Sequence, residues 1–267
     1  MLKERVITAV IGLPLLLLVL YFGGIPFTVV MFLAAEIGLF EYMRCMKLEK
    51  TPLFAIDAAM AGAAFLLTSL FGQGMLTLCI IVCFLLLAGT MVLRFGSIRF
   101  EAVAAALLGF IYIPVILVLF VLLREKNLSY VFFVLIAAWG SDTCAYFAGK
   151  ALGKHKMAPV LSPKKTWEGF AGGALGAALL AMAVALLCKE KLVLLPVPIL
   201  TATLVTLAAS ILGVAGDLFA SAIKRTYGIK DYGKIFPGHG GMMDRIDSMI
   251  FCTPVIYFAF EFLEKLH

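Results

Sequence analysis

Charge is scarce in this chain. Only 14% of its 267 residues are charged and 63% are hydrophobic, and its mean hydropathy is +1.09. A soluble domain is typically about 25% charged and about 45–50% apolar. The deficit excludes a water-soluble fold, because so much apolar surface cannot be hidden from water; the solvent must be lipid. No polar stretch is long enough to form a soluble domain, so we read one membrane-embedded domain over residues 1–267. Grouped metal-binding cysteines are also missing. Cys45, Cys79, Cys83, Cys144, Cys188 and Cys252 are scattered through apolar stretches. Cys79 and Cys83 stand four apart without His or acidic neighbours, as small packing residues do. The start, Met1 to Arg5 and then an apolar run, mimics a signal peptide, but no small-residue cleavage site follows it. A retained first helix is the expectation. The net charge of +6 does not imply nucleic acid, since basic residues in such a chain mark loop topology and anionic headgroups.

What is abundant is long apolar runs. A spanning helix needs about 20 apolar residues, and the backbone must satisfy its own hydrogen bonds in lipid. The predicted class is therefore all-α, a polytopic integral membrane protein with about nine transmembrane helices. The spans are Val6–Phe22, Pro26–Tyr42, Leu53–Phe71, Met75–Val92, Ala102–Leu123, Tyr130–Phe147, Phe170–Cys188, Pro198–Ala222 and Ser248–Leu263. Gly169, Gly172, Gly173 and Gly176 open the seventh span with G-x-x-x-G spacings, which predicts close helix packing. Alternating sides from the N-terminus places 17 of the 22 Lys and Arg on one face. The other face has Arg124, Lys126, Lys189, Lys191 and Lys265. The positive-inside rule then predicts N-terminus in and C-terminus out. Two long polar loops, Gly149–Gly169 and Lys224–Asp247, fall on the basic, cytoplasmic side. Function concentrates on such loops. The helices of about 1–125 read as scaffold, and about 130–267 carries the chemistry.

Gly216 to Asp247 is the densest block. Asp217, Ser221 and Lys224 are spaced i, i+4, i+7 and share one helix face. A carboxylate late in an apolar span is costly unless paired or metal-bound. Asp244 and Asp247, three apart at the start of the last helix, suit two acids on one hard cation. Lys224 and Arg225 offer positive charge to phosphate oxygens. Gly238, Gly240 and Gly241 around His239 allow backbone N–H groups close to a phosphate. Each feature has a plainer reading: an intramembrane ion pair, a charged helix cap, topology anchors, simple turns. Their concentration within 32 residues favours a site.

This block resembles the signature of the CDP-diacylglycerol synthase, or phosphatidate cytidylyltransferase, family, bacterial type. The pattern S-x-[apolar]-K-R, four residues, K-D-x-[small], two residues, [apolar]-P-x-H-G-G-[apolar]-x-D-R-[apolar]-D runs from Ser221 to Asp247 without departure. Gly140-Ser141-Asp142-Thr143-Cys144-Ala145-Tyr146, followed by Gly149 and Gly153 and then by Leu161-Ser162-Pro163-Lys164-Lys165-Thr166-Trp167-Glu168-Gly169, is a second family-like stretch. The resemblance implies that CTP and phosphatidic acid give CDP-diacylglycerol and pyrophosphate, a step in phospholipid biosynthesis. It implies Mg²⁺ on Asp217, Asp244 and Asp247, with room for a second cation. It implies phosphate binding by Lys164, Lys165, Lys224 and Arg225, with Asp142, Ser221, Gly240 and Gly241 also on the substrates and His239 near phosphate or a metal ligand. The partners are CTP, phosphatidic acid and the bilayer of the cell (inner) membrane, with no nucleic acid, and a homodimer is expected. Rival readings are a lipid-alcohol kinase, an archaeal-lipid cytidylyltransferase, a transporter or channel, and a purely structural membrane protein, which would have no reason to place so many lysines and glycines in two matched loops. The transporter is disfavoured because no inverted repeat is visible and the polar residues crowd one face.

Overall fold

The computed structural model describes residues 12, 14–192, 194–236 and 240–266. Among the described residues, eight helices are long and apolar enough to cross a membrane. They are α1 (Gly24–Cys45), α2 (Pro52–Phe71), α3 (Gly74–Leu93), α4 (Phe100–Lys126), α5 (Leu128–Leu152), α6 (Trp167–Leu187), α7 (Pro198–Thr226) and α8 (Met243–Leu266). They match the last eight predicted spans. The first, Val6–Phe22, lies partly outside the described residues; its residues 12 and 14–22 are helical. Most helices run up to a turn beyond the predicted apolar stretch, because backbone hydrogen bonding continues into polar end residues that hydropathy excludes.

One feature departs from an all-helical loop. β1 (Lys156–Ala158) and β2 (Ser162–Thr166) form an antiparallel hairpin pairing Lys156 with Thr166 and Ala158 with Ser162. The segment is too polar for hydropathy to register and too short for alternation to show. Its exit is fixed by Thr166, whose hydroxyl accepts the Gly169 N–H at 3.1 Å and caps α6.

The chain divides into two compact units. The first comprises 1–122 and 227–245. Here α1 packs on α2 and on the Pro114-bearing π-helical turn of α4, Ile111–Val115. Proline lacks the N–H that would continue the α-helical ladder, which accounts for the altered turn. Gly109 lies so close to the buried Tyr42 ring that a Cβ would overlap it, and the Tyr42 hydroxyl donates to the Ala105 carbonyl at 3.1 Å. Asp57 is fully buried, with the Cys83 thiol 3.4 Å from Oδ1. Cys79 and Cys83 are buried and free, as packing residues should be. Outward leucines and phenylalanines such as Leu66, Leu70, Phe84 and Leu85 stay exposed, a surface that suits lipid rather than water.

The second unit comprises 123–226 and 246–267. Its most extensive helix pair is α5 on α6. A Cβ on Gly169 would stand 2.9 Å from the Ala145 carbonyl, one on Gly173 2.9 Å from the Ser141 carbonyl, and one on Gly176 2.5 Å from the Cys144 sulfur. The predicted small-residue stripe is thus the contact itself, as close backbone approach requires. Gly213 and Gly216 on α7 do the same against Cys252 and Phe251 of α8. At one end, the Asn127 amide donates to the Lys191 carbonyl at 2.6 Å, and Tyr130 and Lys126 meet Glu264 at 2.6 and 3.3 Å. Of these residues, charge counting assigns Lys126 and Lys191 to one face.

Candidate active site

A π-helical turn, Ile136–Gly140, immediately precedes Ser141 and Asp142 in α5, a distortion often found at functional sites. Asp142, Lys164 and Lys165 line a cavity of about 390 Å³ together with Tyr146, Lys150, Ser162, Thr166 and Phe170. The hairpin places Lys164 and Lys165 there, because β2 leads directly into the capped start of α6. Glu168 secures the hairpin's other strand. Its carboxylate accepts the Lys154 and His155 N–H groups at 3.1 and 3.2 Å, and its Oε1 lies 2.6 Å from His155 Nδ1.

Lys165 Nζ lies 2.5 Å from Asp217 Oδ2 on α7. Both side chains are about a quarter exposed, at 22% and 25%, while the Lys165 ammonium itself is shielded from solvent. Asp247, at the second turn of α8, is buried and faces Asp217, Lys224 and Asp142 electrostatically. Its Oδ1 accepts the Ser248 N–H at 2.8 Å. Ser221 and Lys224 are buried and Arg225 is exposed. The second unit therefore brings together Asp142, Lys164, Lys165, Asp217, Lys224 and Asp247 from three helices and one hairpin. Alternating charge at this density suits phosphate oxygens and a counter-cation.

In the first unit, the segment after Tyr227 folds back on itself. The Phe236 N–H donates to the Gly240 carbonyl at 3.0 Å, and Gly240 has φ +88°, which favours glycine. The Tyr232 and Gly241 N–H groups donate to Asp244 Oδ2 at 2.9 and 3.0 Å. Asp244 thus organises the start of α8, as the helix-cap reading anticipates. Burial raises the Tyr232 phenol above its ordinary range. His239 lies outside the described residues.

Among the described residues, no three His, Cys, Asp or Glu side chains form a group able to hold a metal ion alone. Asp217, Asp244 and Asp247, expected together on one cation, therefore do not form an all-protein cage among the described residues. Mg²⁺ usually takes one or two carboxylates with waters and phosphate oxygens, and Asp217 and Asp247 in the second unit are a neighbouring carboxylate pair of that kind.

Two partners were not expected from the sequence: Phe170 lines the cavity, and Glu41 on α1 accepts the Met243 N–H at 2.9 Å. Tyr146 and Glu168 lie within the family-like stretches, Lys150 stood only as a loop charge, and Glu41 carried a signal as an acid at the end of an apolar span.

The chain matches the family described as "Cytidylyltransferase family" over residues 3–263. A Bacillus subtilis protein named phosphatidate cytidylyltransferase is 36% identical over 265 residues, covering 96% of each chain. Proteins of the same name from Staphylococcus epidermidis and Staphylococcus aureus are 34% and 33% identical over 258 residues, covering 95% of this chain and 97% of theirs. With the match running from one end of the membrane fold to the other and through every cluster described above, the chain belongs to the cytidylyltransferase family.

Proposed function

We propose that this membrane protein is a phosphatidate cytidylyltransferase, transferring CMP from CTP to phosphatidic acid with release of pyrophosphate. The observation that carries the reading is the cavity edged by Lys164 and Lys165, with Lys165 on Asp217, in a chain related over nearly its whole length to proteins of that name.

The lipid phosphate oxygen attacks the α-phosphorus of CTP. The new P–O bond forms as the bond from the α-phosphorus to the bridging oxygen breaks, and pyrophosphate leaves with that electron pair. The nucleophile is already anionic, so the site needs alignment and charge neutralisation more than a strong base. Lys164 and Lys165 take phosphate oxygens at the cavity, and Lys224 and Arg225 take them at the end of α7. The Lys165–Asp217 contact holds the ammonium aimed before substrate arrives. Asp217 and Asp247 would hold Mg²⁺, which supplies further neutralisation of phosphate charge when bound. Asp244 and the Gly240–Gly241 backbone fix the start of α8, which carries Asp247.

The site faces the cytoplasm, where CTP is found, with N-terminus in and C-terminus out. The 17-to-5 division of Lys and Arg supports this. So does the Arg44 guanidinium donating to the Tyr232 carbonyl at 2.7 Å, which joins two segments assigned to the basic face.

The test is to incubate purified protein with phosphatidic acid and CTP labelled at either the α- or the γ-phosphorus. Label from the α-position should enter the lipid, and label from the γ-position should leave in pyrophosphate. Lipid labelled only from the γ-position would make the protein a kinase and reject the reading.

A further inference from the structure

The carboxylate of Glu41 has no place in the reaction as described, yet it is only 1% exposed, in the last turn of α1. Its Oε2 accepts the Met243 N–H at 2.9 Å. Met243 is the first residue of α8, whose leading N–H groups have no partner within the helix. A carboxylate there also meets the positive end of the helix dipole. Glu41 therefore caps α8 from a helix some two hundred residues away in the chain.

The carboxylate also occupies the space that side chains on the signature segment would need. A Cβ on Gly233 or on Gly241 would overlap Glu41 oxygens. Backbone and carboxylate thus sit in direct contact, and glycine is the residue that permits it at both positions. Gly241 in turn donates to Asp244. Three residues along α1, Arg44 holds the Tyr232 carbonyl, and the Tyr232 N–H donates to the same Asp244 oxygen. Glu41 Oε1 is buried without a hydrogen-bond partner among the described residues. Such a group is costly in an apolar chain, so retaining it calls for a compensating role.

We propose that Glu41 is a positioning residue for the transfer reaction, holding Gly233, Gly241 and the start of α8 so that Asp244 is presented correctly. The proposal rests on the transferase reading above for its kinetic consequence, and on the contacts alone for its structural one. It assigns part of the site's construction to the N-terminal half, which sequence reading treated as scaffold.

The experiment compares wild type with Glu41→Gln, Glu41→Ala and, as a far-face control, Lys189→Ala, in detergent micelles at matched amounts of folded protein. Glu41→Gln keeps an oxygen that can accept the Met243 N–H; Glu41→Ala does not. Two quantities are read: kcat and KM for both substrates, and hydrogen exchange of the backbone at 240–246. In Glu41→Ala, kcat should fall about tenfold or more, with KM for phosphatidic acid little changed, and exchange at 240–246 should rise about tenfold. Exchange in α5 and α6 should not change. Glu41→Gln should recover most of both quantities, and Lys189→Ala should match wild type. Wild-type kcat and exchange in Glu41→Ala would overturn the proposal. So would equal losses in the Gln and Ala variants, because the acceptor oxygen would then be irrelevant. If Glu41→Ala does not fold, Glu41→Gln decides alone: near-wild-type kcat and exchange support the cap, and a tenfold loss of kcat rejects it. If wild type transfers no label, the transferase reading fails and exchange at 240–246 still decides the positioning.

Discussion

The contact between Lys165 and Asp217 is the sharpest handle on the chemistry. At 2.5 Å it is either a structural ion pair or two working groups resting on each other until substrate arrives. Exposed pairs contribute about 0–1 kcal/mol to stability, but here the Lys165 ammonium is shielded although the two side chains are each roughly a quarter exposed. Losing it should therefore cost some folding energy, so rates are compared at matched amounts of folded protein. A charge-assisted hydrogen bond from Lys165 to a phosphate oxygen is worth about 1.5–3 kcal/mol. At about 1.36 kcal/mol per factor of ten, Lys165→Met should lower kcat/KM by about 10- to 150-fold. Asp217→Asn should lower it further, since it removes a carboxylate that the buried Asp247 faces and that Mg²⁺ would use. The double variant separates the two accounts. If the pair is only structural, removing both charges repairs what removing one disturbs, and activity returns. If both groups work on substrate, the double variant stays as inactive as Asp217→Asn. The assay is incorporation of α-phosphorus label from CTP into extractable lipid. Wild-type rates in Lys165→Met, or recovery in the double variant, would refute the reasoning.

Lys224→Ala and Arg225→Ala should each raise the substrate requirement by about tenfold or more, with normal membrane insertion; unchanged kinetics in both would remove them from the site. A chelator should abolish transfer and added Mg²⁺ restore it, and Asp247→Asn should need more Mg²⁺ for half-maximal rate; chelator-resistant activity would dismiss the carboxylate–cation account. A cysteine at 164 should react with an impermeant reagent only in opened cells and a cysteine at 191 in intact cells, and the reverse pattern would invert the topology. Gly173→Leu should lower the melting temperature, because overpacking costs about 1–3 kcal/mol where a Cβ already stands 2.9 Å from the Ser141 carbonyl; a Gly173→Leu protein as stable as wild type would deny that tight α5–α6 contact.

Span positions were legible because lipid imposes a length and an apolar composition that few other structures share. The eight crossing helices lie where the runs are. Helix ends were less legible, since α7 continues through Lys224 and Arg225 to Thr226 while a hydropathy reading stops at the charges. The glycine stripe of α6 was legible because spacing alone places Gly169, Gly173 and Gly176 on one face. Its partner was not, because Ala145, Cys144 and Ser141 are ordinary small residues on another helix. The 156–166 hairpin left no periodic trace, and it appears only once Glu168 and Thr166 are seen tying its two ends.

The chemistry-bearing residues show the same asymmetry. Asp217, Lys224 and Asp247 betray themselves because charge in an apolar span needs a reason, and Lys165 because it stands in a polar loop rich in lysine. What supports them is invisible at that level. Glu41 is a single acid at the end of an ordinary span, and nothing near it in sequence says that it reaches Met243. Gly233 and Gly241 read as turns until the carboxylate beside them shows why no side chain fits. Sequence therefore exposes groups whose presence is costly where they stand. Structure is needed for groups whose cost is met by a distant partner. In this chain that difference divides the conspicuous C-terminal motifs from the α1 residues that hold one of them in place.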